Sequence, residues 1–229
     1  MKKLLYLLLA TAFLSCNNER VLQLPEIESA EIIEVLDVSP AYIFYDETQP
    51  DSTLFNRKNL IGTTNWLVNV DKRLTLKQAI PHIQYLQDKR KKASMHKNEA
   101  AKNYFTCNDK SIRSLGFFEF TDVNYTTDVE LDENQNTGNH RTLLIHFFND
   151  DNFTLNEFMG DEQVKSDKVN LKQHFNFKYF FPYSRTNEKI SVILSFDKKM
   201  SFQKYISIRE KMNYFINRKN VIVNEEFIY

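Results

Sequence analysis

The chain is 229 residues long, and its 30 Lys and Arg balance 30 Asp and Glu, so it carries no net charge at pH 7. That balance excludes a strong overall field of either sign for nucleic acid or anionic lipid, and two cysteines exclude a disulfide framework. The length suits one domain or two small halves able to bury a sizeable core. The richness in Asn, Lys, Ile, Phe and Tyr reads as a nucleotide-composition effect, so isolated Asn or Lys residues carry little weight.

Lys2 and Lys3 precede an apolar stretch over residues 4–14, broken only by Thr11, and Ser15 stands just before Cys16. This is the layout of a secretory signal, too short for the ~20 residues that span a bilayer. The segment Ala12-Phe13-Leu14-Ser15-Cys16 resembles the lipobox of bacterial lipoproteins, with Phe13 where Leu is usual. The resemblance implies diacylglycerol on the Cys16 thiol and cleavage before Cys16. The new amino group is open to acylation too, and two or three acyl chains hold a protein stably on a membrane. The alternative is an ordinary secretory signal that ends near a Cys. Residues 1–15 are thus expected as signal peptide, 16–30 as a lipidated tether and 31–229 as a single domain. Without Lys2 and Lys3 the mature chain has 28 basic against 30 acidic side chains.

Residues 31–45 are dense and β-prone, and Ser39-Pro40 divides them into two strands or one kinked strand. Residues 46–59, polar and containing Pro50, read as a loop. A recurring unit follows. Trp66-Leu67-Val68-Asn69-Val70, then Asp71-Lys72-Arg73-Leu74-Thr75-Leu76 and a helical run, aligns without a gap at an offset of 126 with a second stretch. That stretch is residues 190–196, then Asp197-Lys198-Lys199-Met200-Ser201-Phe202 and another helical run. A weaker third copy runs from residues 143–148 through Asn149-Asp150-Asp151-Asn152-Phe153-Thr154-Leu155.

In each copy the Asp accepts from the backbone two residues on and stabilises a turn. Thr75, Thr154 and Ser201 stand where helix N-caps belong, and Gln78 and Glu157 complete capping boxes in two copies. Leu76, Ala79, Ile80, Ile83 and Leu86 form one helical stripe; Phe202, Tyr205, Ile206, Met212 and Phe215 form another. Pro81 predicts a kink or a late start to the first helix.

Residues 103–123 hold two strand candidates around Phe117 and Phe120, and 122–141 read as a long hairpin or mobile loop. Phe175, Phe177, Tyr179 and Phe181 alternate along a strand that Pro182 closes. Residues 220–229 suggest a last strand. The pattern predicts an α+β fold: an antiparallel or mixed sheet covered by two main helices. Two related strand–Asp turn–helix units fall in halves spanning 31–125 and 140–229.

The stretch from Ser191 to Phe202, the helix after it, and Asn220-Val221-Ile222-Val223 resemble the periplasmic domain of the ExbD/TolR biopolymer-transport family. Residues 66–92 look like the earlier strand–helix half of that domain. The resemblance implies strand, Asp turn, helix and returning strand. That family's transmembrane helix carries a carboxylate used in proton-driven coupling, whereas residues 4–14 contain no acid. The likeness therefore implies the periplasmic fold and not the motor.

Gly62, Gly116, Gly138 and Gly160 stand singly, which excludes a phosphate cradle or dinucleotide fingerprint; the nucleophile elbow and the His-Glu-x-x-His helix are also missing. His140 and His146 share a strand face, and Asp150, Asp151 and His174 complete a conceivable metal set. The simpler reading is a partly buried strand histidine at 146 with surface residues elsewhere. Residues 128–138 alternate oxygen donors, but an EF-hand loop counted from Asp132 puts Thr137 at the Gly position and Leu143 at the bidentate Glu. A solvated loop is expected there, with a looser calcium site as the alternative.

Lys89, Arg90, Lys91 and Lys92, with His96 and Lys97, suit a helix C-terminus, weak attraction to headgroups being the alternative. The aromatics at 175–181 read as a strand face packed on helices, ligand stacking being the alternative. Cys107 reads as a buried structural thiol. No cofactor, metal or catalytic residue is expected, and Cys16 is the one assigned site. The function expected is that of an envelope lipoprotein, inner or outer membrane left open, which binds an envelope protein partner and neither nucleic acid nor nucleotide. The alternatives are an accessory of an ExbD/TolR-like transport complex and an enzyme without a common local motif.

Overall fold

The computed structural model describes residues 21–92, 98–126, 141–159, 162–171, 190–216, 221–222 and 225–229. The expected signal peptide, Cys16, His96, Lys97, the acidic stretch 128–138, His140, His174 and the aromatic run 173–183 lie outside them. The first half holds β1 (Glu26–Ile27), β2 (Val38–Tyr45), β3 (Thr53–Asn56), β4 (Asn65–Val70), α1 (Leu76–Lys91), β5 (Asn103–Asp109) and β6 (Ser114–Glu119). Next come β7 (Asn124–Thr126), β8 (Arg141–Phe147), β9 (Asn152–Met159), β10 (Glu162–Asn170), β11 (Ile190–Phe196), α2 (Phe202–Ile216), β12 (Val221–Ile222) and β13 (Glu225–Ile228).

The fold is α+β with mixed sheets; among the described residues there are two helices, and the strands divide between two sheets. In the first, β3, β2, β4 and β5 lie in that order, β6 flanks β5, and β1 runs beside the far end of β5. In the second the order is β10, β9, β8, β11, β13, β7, with β12 at the other end of β11. The two share one topology. A hairpin (β2–β3 or β8–β9) is followed by a strand parallel to its first arm (β4 or β11), then a helix and a parallel return strand (β5 or β13). Parallel pairing needs such a crossover, because a tight turn only reverses the chain.

Strand alternation puts Ala41, Ile43, Trp66, Val68, Val70, Phe105 and Cys107 on one inner face, and Leu143, Ile145, Phe147, Val192, Leu194 and Phe196 on the other. Together with both helical stripes they form a single apolar cluster that runs through both halves. Every described member of the two stripes read from the sequence is buried.

Turns are made with carboxylates more than with glycine. Asp71, Asp150 and Asp197 each accept from the N–H two residues on, at 3.0, 2.9 and 2.8 Å. Asp46, Asp51 and Asp109 do the same. The third repeat copy needs correction: Asp150 turns the chain into β9 and not into a helix. Thr154 and Glu157 are therefore strand residues, and Glu157 pairs with Arg141 across the hairpin at 2.6 Å. The counterpart of Asp150 in the first half is Asp46, at the β2–β3 turn.

Other expectations change too. Pro40 lies inside β2, tolerated because the β2–β3 ladder begins only at Tyr42 and Pro40 has a strand neighbour on one side alone. Residues 46–59 contain β3. The helix α1 starts at Leu76 and runs through Pro81, whose ring is exposed, so water reaches the carbonyl that its missing N–H leaves open. Residues 23–30, placed above in the expected tether, are bonded into the fold. Lys72 N–H donates to Gln23 O at 2.8 Å, and Asn108 N–H donates to Pro25 O at 2.8 Å.

The halves meet through their repeated turns. Leu76 N–H donates to Met200 O at 2.9 Å, and Phe202 N–H donates to Leu74 O at 2.7 Å. Lys77 N–H donates to Lys198 O at 2.9 Å, and Gln203 N–H to Lys72 O at 3.2 Å. Each bond is its partner's image under the 126-residue offset, which defines a pseudo-twofold axis at the Thr75–Ser201 bridge. The first amides of each helix, orphaned within it, are thus satisfied by the other half's turn. Lys204 N–H donates to Ser201 Oγ at 3.2 Å, the N-cap expected there; at the first helix Gln78 Oε1 accepts from both the N–H and the hydroxyl of Thr75 at 2.8 Å, the glutamine half of the capping box.

Candidate functional site

The segment after β1 builds the most site-like feature. Ala30 N–H donates to Asp109 Oδ2 at 2.7 Å as the chain crosses the β5–β6 hairpin, and Phe117 N–H donates to Ile32 O at 2.9 Å at its outer edge. The crossing is possible because residue 116 is glycine: a Cβ there would lie 2.5 Å from Ala30 Cβ. Helix α2 grips the segment from the other side. Gln203 accepts from Glu26 N–H at 2.8 Å through Oε1 and donates to Glu26 O at 2.9 Å through Nε2. Two turns along the same face, Glu210 Oε1 accepts from the N–H groups of Glu28 and Ser29 at 2.8 and 2.9 Å.

Between segment, β6 and α2 lies a groove of about 610 Å³ with an apolar floor of Ile27, Ala30, Ile32, Phe117 and Phe118. Its rim carries Glu28, Glu31, Glu119 and Glu210 with Lys211. The size falls in the range of ligand-binding clefts. Glu28 pairs with Lys110 at 2.7 Å and Glu119 with Lys102 at 2.9 Å. Both pairs are exposed, and such pairs exchange readily for a partner's charges.

Behind the floor, the Arg209 guanidinium lies 5.5 Å above the Phe118 ring. Its Nε is 2.8 Å from Glu226 Oε1, in a geometry that closes no hydrogen bond, and Nη1 has none either among the described residues. Tyr205 donates from its hydroxyl to Glu226 Oε2 at 2.7 Å and meets the Tyr125 hydroxyl at 3.0 Å. Burial pushes the Glu226 carboxyl up and both phenols well up. The cluster locks α2 to β13 and β7.

Of the residues singled out from sequence, His146 is a half-buried strand histidine as expected. Its Nδ1 lies 2.9 Å from Ser195 Oγ and its ring stacks on Tyr229 at 4.0 Å; burial pushes its pKa down, with Asp197 opposing. A Ser–His contact is one that nucleophilic catalysis uses. Here, however, both are penultimate residues of paired strands, and the amides just beyond are taken. Asp197 N–H donates to Phe147 O at 3.0 Å and Phe148 N–H to Asn152 O at 3.1 Å, so neither is left for an oxyanion.

Asp150 and Asp151 stand at the β8–β9 turn, where Lys204 Nζ donates to the carbonyls of Asn149 and Asp150. No metal-ligand cluster forms among the described residues. Cys107 is buried and free, and burial pushes its thiol pKa far up. Arg90 lies 4.0 Å over the Trp66 ring and donates to Asn103 Oδ1 at 2.8 Å, so one member of the basic run packs inward. Burial lowers its pKa to about 10.

The groove was missed because one of its walls, Ile27 to Ala30, falls in the expected tether. The repeat held the signal: Gln84, which is 126 residues before Glu210, donates to Tyr125 O at 2.8 Å and holds the segment leading into the second half. No protein-family model, curated protein or solved structure matches the chain. No helix among the described residues is long and apolar enough to cross a membrane.

Proposed function

We propose that the mature protein is an envelope lipoprotein, acylated at Cys16, that acts without catalysis by binding another envelope protein in the groove beside α2. The observation that carries the reading is the groove itself: an apolar floor with a carboxylate rim, built by long-range bonds and not by a surface loop. The lipid part rests on residues 2–16 of the sequence. Two experiments test the proposal. Cys16→Ser abolishes labelling by a fatty-acid analogue and blocks signal cleavage; unchanged processing overturns the acylation. Pull-down from solubilised membranes recovers one stoichiometric partner with the wild type and loses it with Ile32→Asp/Glu119→Lys at unchanged melting temperature. Equal recovery by both proteins, or none by either, overturns the groove reading.

A second reading is favoured by one feature. The Asp-led turns at 71 and 197 each feed a helix and a parallel return strand, the pattern in which the sequence resembles ExbD/TolR periplasmic domains. On that reading the partner is a component of a transport complex.

A further inference from the structure

The inner faces of both sheets are filled by the two helical stripes, but the outward face of the first sheet is apolar too. Strand alternation turns Val38, Pro40, Tyr42 and Phe44 of β2 outward, with Leu54 of β3 and Leu67 of β4. None of these six belongs to the core cluster. Tyr42 and Phe44 lie ring beside ring at the centre, 5.8 Å apart and 20° from parallel. Val38 is 41% exposed, and Leu36, whose carbonyl accepts from Asn65 Nδ2 at the start of β4, is 71% exposed. The remaining outward positions of these three strands are Asn56, Asn65 and Asn69, so no charged side chain stands among them.

The fold does not demand such a face, as the second half demonstrates. Built on the same topology, β8, β9 and β11 turn Thr142, His146, Thr154 and Ser195 outward beside Leu144, Phe158 and Ile193. A contiguous apolar strip on the outside of one half alone is the mark of a contact surface.

The polar groups on the strip say what it fits. Tyr42 stands directly between Asn56 on β3 and Asn69 on β4. Asn69 Nδ2 donates to Ala41 O and Leu67 O at 3.0 and 3.2 Å, which leaves Oδ1 facing out as an acceptor. Asn56 Oδ1 accepts from Lys58 N–H at 3.2 Å, which leaves its Nδ2 as a donor. A twofold axis along β2 over Tyr42 would set Asn56 of each copy opposite Asn69 of the other, donor to acceptor. Packed sheets lie ~10 Å apart, a gap that two facing amide side chains span. The face is therefore complementary to itself, and no like charges meet across it.

We infer that the outward face of β3, β2 and β4 packs against the same face of a second copy of this chain. The exposed parts of its side chains amount to about 450 Å² per copy, so a pair buries roughly 900 Å², the size of weak, reversible associations with micromolar dissociation constants. The groove is bounded by β6, two strands away from β4, and shares no residue with this face, so the pair presents it twice. The inference depends neither on the groove reading nor on acylation at Cys16.

The test uses the chain from Asn17 onward, which contains every described residue, sedimented to equilibrium between 5 and 500 µM. A monomer–dimer equilibrium is expected. Tyr42→Lys sets like charges opposite each other at the axis and should weaken it at least about 100-fold at unchanged melting temperature. Thr154→Lys on the second half, and Ile32→Asp/Glu119→Lys in the groove, should leave it unchanged. A second readout needs no charge: a bismaleimide spanning about 10 Å joins Tyr42→Cys to its copy and does not join Thr154→Cys. Cys107 is buried and adds no background. A monomer throughout, a dimer indifferent to Tyr42→Lys, or equal cross-linking of the two cysteine variants overturns the inference.

Discussion

Gly116→Ala probes whether the chain before β2 belongs to the fold. The added Cβ would lie 2.5 Å from Ala30 Cβ, 3.1 Å from Ile27 Cδ1 and 3.3 Å from Asp109 Cβ. The first contact is far inside van der Waals distance, and Ala30 cannot swing aside because its Cβ sits on the backbone. Ala30 N–H is moreover fixed to Asp109 Oδ2. Gly116 does not have a positive φ, so alanine suffers no backbone strain there and stiffens the unfolded chain slightly in its favour. Overpacking of this kind costs about 1–3 kcal/mol, which outweighs the ~0.4–1 kcal/mol gain. The net loss of about 1–2 kcal/mol corresponds to a fall of roughly 2–8 °C in melting temperature for a chain of this size.

The paired substitution Ala30→Gly removes the clashing atom. The double variant is therefore expected to be more stable than Gly116→Ala alone, although Ala30→Gly by itself destabilises. Urea unfolding of the four proteins gives the cycle directly. If Gly116→Ala is as stable as the wild type, or the double variant is no better than Gly116→Ala, residues 27–32 do not cross the sheet at Gly116.

Three further outcomes follow from the buried polar groups. Burial opposes ionisation of Asp71, but the Arg73 guanidinium and the N–H groups of Arg73 and Gln23 hold its pKa below the usual carboxylate value. Its stabilising contribution is therefore full above about pH 4 and lost as pH falls through the lowered value, and Asp71→Asn should flatten that part of the pH–stability curve. Removing one partner of the Arg209–Glu226 pair by Glu226→Gln should cost about 3–5 kcal/mol in urea unfolding, and Arg209→Met/Glu226→Leu much less. A larger loss in the double variant would show that the pair adds net stability. Burial depresses the His146 pKa below 6.5, so the folded state resists protonation and stability falls as pH drops below that value. An NMR titration of His146 with a midpoint above 6.5 would contradict this, and His146→Phe should reduce the slope.

The local sequence was sufficient for elements whose signal is short-range. The stripes of α1 and α2, the strand β4 and the Asp-led turns at 71 and 197 rest on i, i+2 and i, i+4 relations, and each formed as read. The copy at Asp150 was legible as a turn but not as a hairpin. A capping Thr–Glu pattern and a strand with cross-strand pairs look alike until a partner strand is known. Asparagines given little weight proved structural: Asn69 donates to Ala41 O at 3.0 Å, and Asn65 Oδ1 accepts from Lys102 N–H at 2.8 Å.

Only the tertiary structure decided how the halves meet and what the expected tether does. Residues 26–30 have no period of their own and are held by Gln203, Glu210 and Asp109, between 79 and 182 positions away. No window of sequence contains both ends of such bonds. The 126-residue repeat stood in the sequence throughout, but nothing in it said that each copy's turn would cap the other's helix. That followed from packing two halves with a shared core topology across one axis, which brings the orphaned amides of each helix to the carbonyls of the other half's turn.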